Sequence, residues 1–227
     1  MAADLILTGA VVRTADRARP TADAIAFEGG RVLTVGAAED VLAHRDEHTE
    51  VRDLAGAAVY PGFVDVHTHH ALAGRTDLFE LSLPIGLSLD GILDHVRAHA
   101  ADLPADAWIS GGPFASTMLE ELCSSAVRAR LDEASDGRPT VIVEDSRHNR
   151  WANSRALELA GISADSLPAG GVAVLDRTDG TLTGVLLEAA GIPVEDALSR
   201  GGGLTAEQHR QASRRGVEML NAYGVTA

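Results

Sequence analysis

The sequence predicts an α/β chain in which a β-rich opening leads into alternating strands and helices. Three observations predict it. Residues 1–58 are short β-prone runs broken by tight turns. From residue 59 onward, short apolar runs alternate with stretches of helical periodicity, the order of βα units in a parallel sheet. Between them stands Val59-Tyr60-Pro61-Gly62-Phe63-Val64-Asp65-Val66-His67-Thr68-His69-His70, which joins a turn signal to an apolar run and a histidine cluster.

In the first segment, Leu5–Leu7 and Ala10–Val12 flank Thr8-Gly9, and Ala24–Phe27 and Arg31–Val35 flank Glu28-Gly29-Gly30. The second pair predicts a hairpin around a glycine turn. Residues 37–45 suit a short helix, residues 50–54 one more strand, and residues 57–60 lead onward. Phe63–Val66 predicts a buried strand. On a strand, residues two apart share a face, so Asp65, His67 and His69 would point the same way. Two imidazoles so placed can bind one metal ion, and Asp65 could orient one of them from behind.

Beyond a connector at residues 71–86, Ser88 is a predicted N-cap. Leu89, Ile92, Leu93, Val96, Ala100 and Leu103 follow it at helical spacing. His95 and His99 lie four apart on that helix beside Asp94 and Arg97, where a solvated face is the plainer reading than a ligand pair. Residues 108–113 and 140–143 predict the next two strands, with a helix from Ser124 or Ser125 to Ala134 between them. Asn153 or Ser154 can cap a helix that Gly161 ends. Thr205-Ala206-Glu207-Gln208 is a capping box for a helix to about Ala222, and residues 225–227 suit a further strand.

Composition bounds the function. The chain has 227 residues, 45% hydrophobic and 23% charged, enough apolar material for a core. Its formal net charge of −14 argues against nucleic acid or an anionic membrane as partner. All 19 basic residues are arginine. Cys123 is the only cysteine, so no intrachain disulfide can form. The N-terminus lacks the basic and apolar regions of a signal peptide, and no run suits a membrane span, so a soluble cytoplasmic chain is expected. No G-x-S-x-G elbow or P-loop is present.

The segment Pro61-Gly62 to His69 resembles the "PG-apolar-D-x-H-x-H" opening of the metal-dependent amidohydrolase superfamily. There, a small β-sandwich leads into the first strand of a (β/α)₈ barrel. His148, Trp151, Asn153, Ser154, Ala156, Leu157, Gly161 and Ile162 match the "H-x-x-W-x-N-S-x-A-L-x-x-x-G-I" segment of its amidohydrolase-3 branch. That branch is also called YtcJ-like and includes N-substituted formamide deformylase. Gly170-Gly171-Val172 and Gly184 to Glu188 match a third motif of the branch. One departure is Ser110-Gly111-Gly112-Pro113-Phe114, where the branch carries "G-x-G-W-D" on a loop expected to face substrate.

The resemblance implies a β-sandwich segment at 1–58 and the N-terminal portion of a TIM-type barrel at 59–227, the barrel being incomplete. It implies a hydrolase of carbon–nitrogen bonds other than peptide bonds, acting on a linear amide or formamide. A cyclic-amide hydrolase, a deaminase and a non-catalytic fragment are the alternatives. His67 and His69 would hold a divalent metal, zinc by preference, with Asp65 behind them. His148 and Trp151 would touch the small-molecule amide. Glu188 sits in an apolar run and is open to a metal or catalytic role. Further ligands and a catalytic aspartate are expected after Ala227, so the chain alone is expected to be inactive. A bridging carboxylated lysine cannot come from a chain without lysine. A homodimer is compatible with all of this.

Overall fold

The computed structural model describes residues 1–163, 166 and 169–227. The chain divides into two units, one of Met1–Val66 with Gly224–Ala227, the other of His67–Tyr223.

The first unit contains β1 (Leu5–Thr8), β2 (Val11–Arg13), β3 (Thr21–Ala22), β4 (Ala24–Glu28), β5 (Arg31–Gly36), the short helix α1 (Ala38–Leu42), β6 (Glu50–Asp53) and β7 (Ala58–Val59). One sheet runs β5-β4-β1-β6 and a smaller one β3-β2-β7. The β4–β5 hairpin forms as the glycine pair predicts. Gly29 and Gly30 take φ of 56° and 74°, the left-handed pair that matches strand twist. Ile6, Ala24, Ala26 and Val41 form one small core, and Ala10, Val12, Ala22 and Ile25 a second.

Phe63–Val66 departs from expectation. It is not a buried strand. Phe63 makes one parallel bridge to Val225, and Val66 is 95% exposed. The Phe63 amide donates to the Gly224 carbonyl at 2.7 Å, and the Asp65 amide to that of Ala227 at 2.8 Å. The reason is pairing. An apolar run becomes a buried strand only when neighbours satisfy its backbone and cover its faces, and here a four-residue segment supplies one edge. Residues 225–227 accordingly form this bridge rather than a strand.

The second unit opens with α2 (His70–Phe79) and β8 (Leu81–Ser82), so the expected connector at 71–86 is in fact a helix and a strand. Then come α3 (Leu89–Ala101), β9 (Ile109–Phe114), α4 (Leu119–Leu122), α5 (Ser125–Ala134), β10 (Thr140–Glu144), β11 (Asn149–Ala152), α6 (Ser154–Ala160), β12 (Gly171–Leu175), β13 (Leu182–Glu188), α7 (Ile192–Arg200) and α8 (Ala206–Ala222). The sheet order is β12-β13-β11-β10-β9-β8. β8, β9 and β10 are parallel, as βα units predict, whereas β11, β13 and β12 add antiparallel.

Both faces of this sheet are covered, so β10 reads as a continuous apolar run rather than an alternation. Ile142 joins Ile92, Val96, Ile109, Phe114, Leu131 and Trp151 on one side. Val141 joins Ala152, Leu157, Leu186 and Val194 on the other. The Ser88 hydroxyl caps α3 by accepting the Gly91 amide at 3.3 Å. Thr205 and Gln208 complete the reciprocal capping box of α8. α2 and α8 meet backbone to backbone. A Cβ on Gly74 would lie 1.9 Å from the Ala212 carbonyl oxygen, and one on Gly216 2.0 Å from that of His70. Only glycine permits that approach.

Candidate functional site

His67 and His69 sit at the entry to α2. His69 is its N-cap residue, and its carbonyl accepts the amides of Leu72 and Ala73 at 3.0 and 3.1 Å. The cap fixes the backbone there, although no strand does. The two imidazoles meet edge to face, with centroids 5.1 Å apart and planes at 88°. Two imidazoles bound tetrahedrally to one ion, each through a nitrogen at about 2.05 Å, would have centroids about 5.2 Å apart. The observed separation is close to that value and is also the ordinary distance of an edge-to-face ring pair. Among the described residues, no group of three or more His, Cys, Asp or Glu side chains is clustered to hold an ion. Two histidines are fewer than the three protein ligands typical of a catalytic zinc site. Asp65 belongs to the first unit and is exposed. His70, the next residue, turns its Nε2 to the Ser213 hydroxyl at 3.2 Å.

The second motif divides in two. His148 is exposed, and its Nδ1 lies 3.1 Å from Oε2 of Glu188. Glu188 adopts a left-handed φ of 51°, which a non-glycine side chain rarely takes. In the neutral tautomer that donates Nδ1–H to that carboxylate, Nε2 is an acceptor. Trp151 is elsewhere in character. It lies on β11, fully buried against β10 and β13, and its indole N–H has no hydrogen-bond partner among the described residues. It presents no surface to a ligand in this structure. The stretch is a strand that returns antiparallel beside β10.

The "N-S" of the same motif is architectural. Asn153 is fully buried, and its Oδ1 accepts the amides of Thr140 and Ala156, both at 3.0 Å. Its Nδ2 donates to the Ser135 hydroxyl and the Arg138 carbonyl. Ser154 donates to Asp132 through its amide and hydroxyl, at 2.8 and 2.7 Å. The strand expected at residues 108–113 forms as β9, which continues through Phe114, a core residue, where a loop was expected. A Cβ on Gly111 would lie 2.0 Å from the Leu81 carbonyl oxygen, so the glycine lets β8 approach.

His95 donates within its own helix, its Nδ1 standing 2.8 Å from the Gly91 carbonyl, which suits a helix face rather than a ligand pair. Burial pushes the Cys123 thiol up from its ordinary value, away from nucleophilic chemistry. No helix among the described residues is long and apolar enough to cross a membrane. A site that the motifs did not announce lies in the second unit. It is a cavity of about 600 Å³ whose wall includes Arg75, Glu80, Arg147, Arg150 and Glu195.

Comparison with known proteins places these features. Residues 50–227 match the sequence model of an amidohydrolase family. The chain is 34% identical over 188 residues to N-substituted formamide deformylase of Arthrobacter pascens, covering 82% of this chain and 34% of that protein. It is 32% identical over 170 residues to the putative amidohydrolase YtcJ of Bacillus subtilis (strain 168), covering 74% of this chain and 32% of that one. The chain thus spans about a third of the length of these curated relatives. An uncharacterized metal-dependent hydrolase from Pyrococcus horikoshii OT3 superimposes with a TM-score of 0.63 at 21% identity, over 98% of this chain and 42% of that one, a likeness of fold.

Proposed function

The chain belongs to the amidohydrolase family, and from that premise we propose that it forms part of a metal-dependent hydrolase of carbon–nitrogen bonds other than peptide bonds, acting on linear amides or formamides. The observation that carries the reading is the His67–His69 pair, held at the cap of α2 with a ring separation that suits two ligands to one ion. The family's α/β fold, completed as a (β/α)₈ barrel, is the framework proposed for it.

His67 and His69 are the proposed ligands, binding as neutral imidazoles. A divalent ion, zinc by the preference of imidazole ligands, supplies Lewis acidity that activates water and polarises a carbonyl. The chain's own contributions are positional. The cap at His69 keeps both rings at the start of α2. Glu188 holds the His148 proton on Nδ1, so Nε2 can accept an N–H from an amide substrate. Trp151 acts from the core by holding β11, and hence His148, in register. The whole protein is proposed to work in the cytoplasm on a small-molecule amide.

The test is metal content. The chain equilibrated with Zn²⁺ should take up zinc, and His67→Ala and His69→Ala should each lose most of it, read by elemental analysis after dialysis. Two ligands where a catalytic zinc site typically has three predict weak uptake. Zinc content unchanged in both variants would sink the ligand assignment. Zinc-dependent turnover of cyclic amides by the whole protein, with none of N-substituted formamides, would replace the substrate class.

A further inference from the structure

The cavity of about 600 Å³ lies wholly in the second unit, against the sheet face that carries Ser110, Val141 and Val143. Its volume is that of small-molecule sites, roughly 300–1,000 Å³. Its charges can be counted. Nη2 of Arg75 lies 2.5 Å from Oε1 of Glu80, which also receives the Ser110 hydroxyl at 3.1 Å. Arg150 donates to Oε1 of Glu195 from Nε at 2.7 Å and again from Nη2, and spends Nη1 on the Arg147 and Asn149 carbonyls. Each glutamate therefore cancels one guanidinium.

Arg147 is left over. Among the described residues its guanidinium makes no hydrogen bond and no ion pair, yet the residue is half-buried at the cavity wall. Burial, reinforced by repulsion from Arg150 and Arg75 and opposed by Glu80, disfavours its charge. Nε of the already paired Arg75 is enclosed by protein and has no hydrogen-bond partner among the described residues, so it does not compete with Arg147 for a molecule in the cavity. The backbone at Arg147 has a left-handed φ of 70°, a conformation that favours glycine, so an arginine here is held against local preference.

We propose that this cavity binds a small molecule bearing a carboxylate, which the Arg147 guanidinium receives. The chemistry selects a carboxylate over phosphate. One uncancelled positive charge suits a single negative charge, and a dianion would meet Glu80 and Glu195. Leu72, Val141, Leu198 and Leu204 offer apolar wall to the rest of the molecule. Arginine recognises a planar carboxylate by paired N–H donors. Arg75, on the wall of this cavity, lies on α2, about 9 Å of helix rise from His69. If the hydrolase reading holds, the ligand is an amide carrying an acidic group at that reach. The binding itself does not depend on that reading.

The experiment uses the full chain in EDTA, so metal plays no part and either proposal can fail alone. Ligand-observed NMR titrations compare N-benzoylglycine, its neutral amide N-benzoylglycinamide, and inorganic phosphate. The acid should bind about tenfold or more tightly than the amide. Arg147→Gly, which suits the left-handed backbone, should abolish that difference while circular dichroism stays unchanged. Equal binding of acid and amide, no binding of the acid, tighter binding of phosphate, or an acid preference surviving in Arg147→Gly each overturns the proposal. If Arg147→Gly does not fold, Arg147→Gln is read the same way, and the comparison of acid with amide on the unaltered chain decides.

Discussion

The side-chain carbonyl of Asn153 accepts the backbone amide of Thr140 at 3.0 Å, tying the cap of α6 to the first residue of β10. Asn153 sits where a buried helix N-terminus, a strand start and the carbonyl of Arg138 all need partners. One primary amide satisfies all of them, having both acceptor and donors.

The first prediction follows from that relationship. Asn153→Ala leaves buried backbone groups unpaired and removes a cap. It should cost about 2–4 kcal/mol of stability. Asn153→Asp keeps the acceptor but sets a carboxylate against the Arg138 carbonyl, so it should be no better. Urea unfolding of the two variants checks this. A loss below about 0.5 kcal/mol in both, the range of ordinary surface changes, would show that water replaces the side chain.

Trp151 supplies the second prediction. Its full burial makes it a core residue, so Trp151→Ala should cost about 3–5 kcal/mol. Trp151→Phe keeps most of the ring contact and removes the unpartnered indole N–H, so it should cost clearly less. Chemical denaturation of both variants decides. Equal losses would mean that the indole N–H finds a partner after all.

The third concerns acid stability. Asp176 accepts the amides of Thr178 and Ser125, both at 2.8 Å, and these bonds pull its carboxyl from the ordinary 3.8 down to about 2. A carboxyl depressed on folding stabilises the protein above its unfolded value and loses that contribution as pH falls through the folded one. The Asp176 contribution should therefore be complete above about pH 4 and fade toward pH 2. Asp176→Asn should lower the melting temperature at pH 6 and narrow the gap to the parent at pH 3. A gap that is the same at both pH values would reject the assignment.

Much was legible because it is local. The β4–β5 turn, the Ser88 and Asn153 caps, the Gly161 stop and the Thr205–Gln208 capping box each depend on residues within a few positions, and the backbone forms them as the sequence predicts. The α3 core face, Leu89 to Ala100, follows from helical period alone. The His-Thr-His cluster was visible for the same reason. Its premise failed, because a strand at Phe63–Val66 needs partners that local sequence cannot supply.

By itself, the sequence determined the family, the α/β alternation and the pair of histidines whose spacing suits a metal. These reside in residue type and in short periods. Tertiary structure alone decided which matched residues face solvent and which face the core. It turned Trp151 inward and Asn153 into a hub, while leaving His148 exposed beside Glu188. It also brought Arg75, Arg147 and Arg150 to one cavity with only two glutamates to balance them. The physical reason is that charge balance and burial are sums over groups distant in sequence. No local pattern carries them, and only packing can set them.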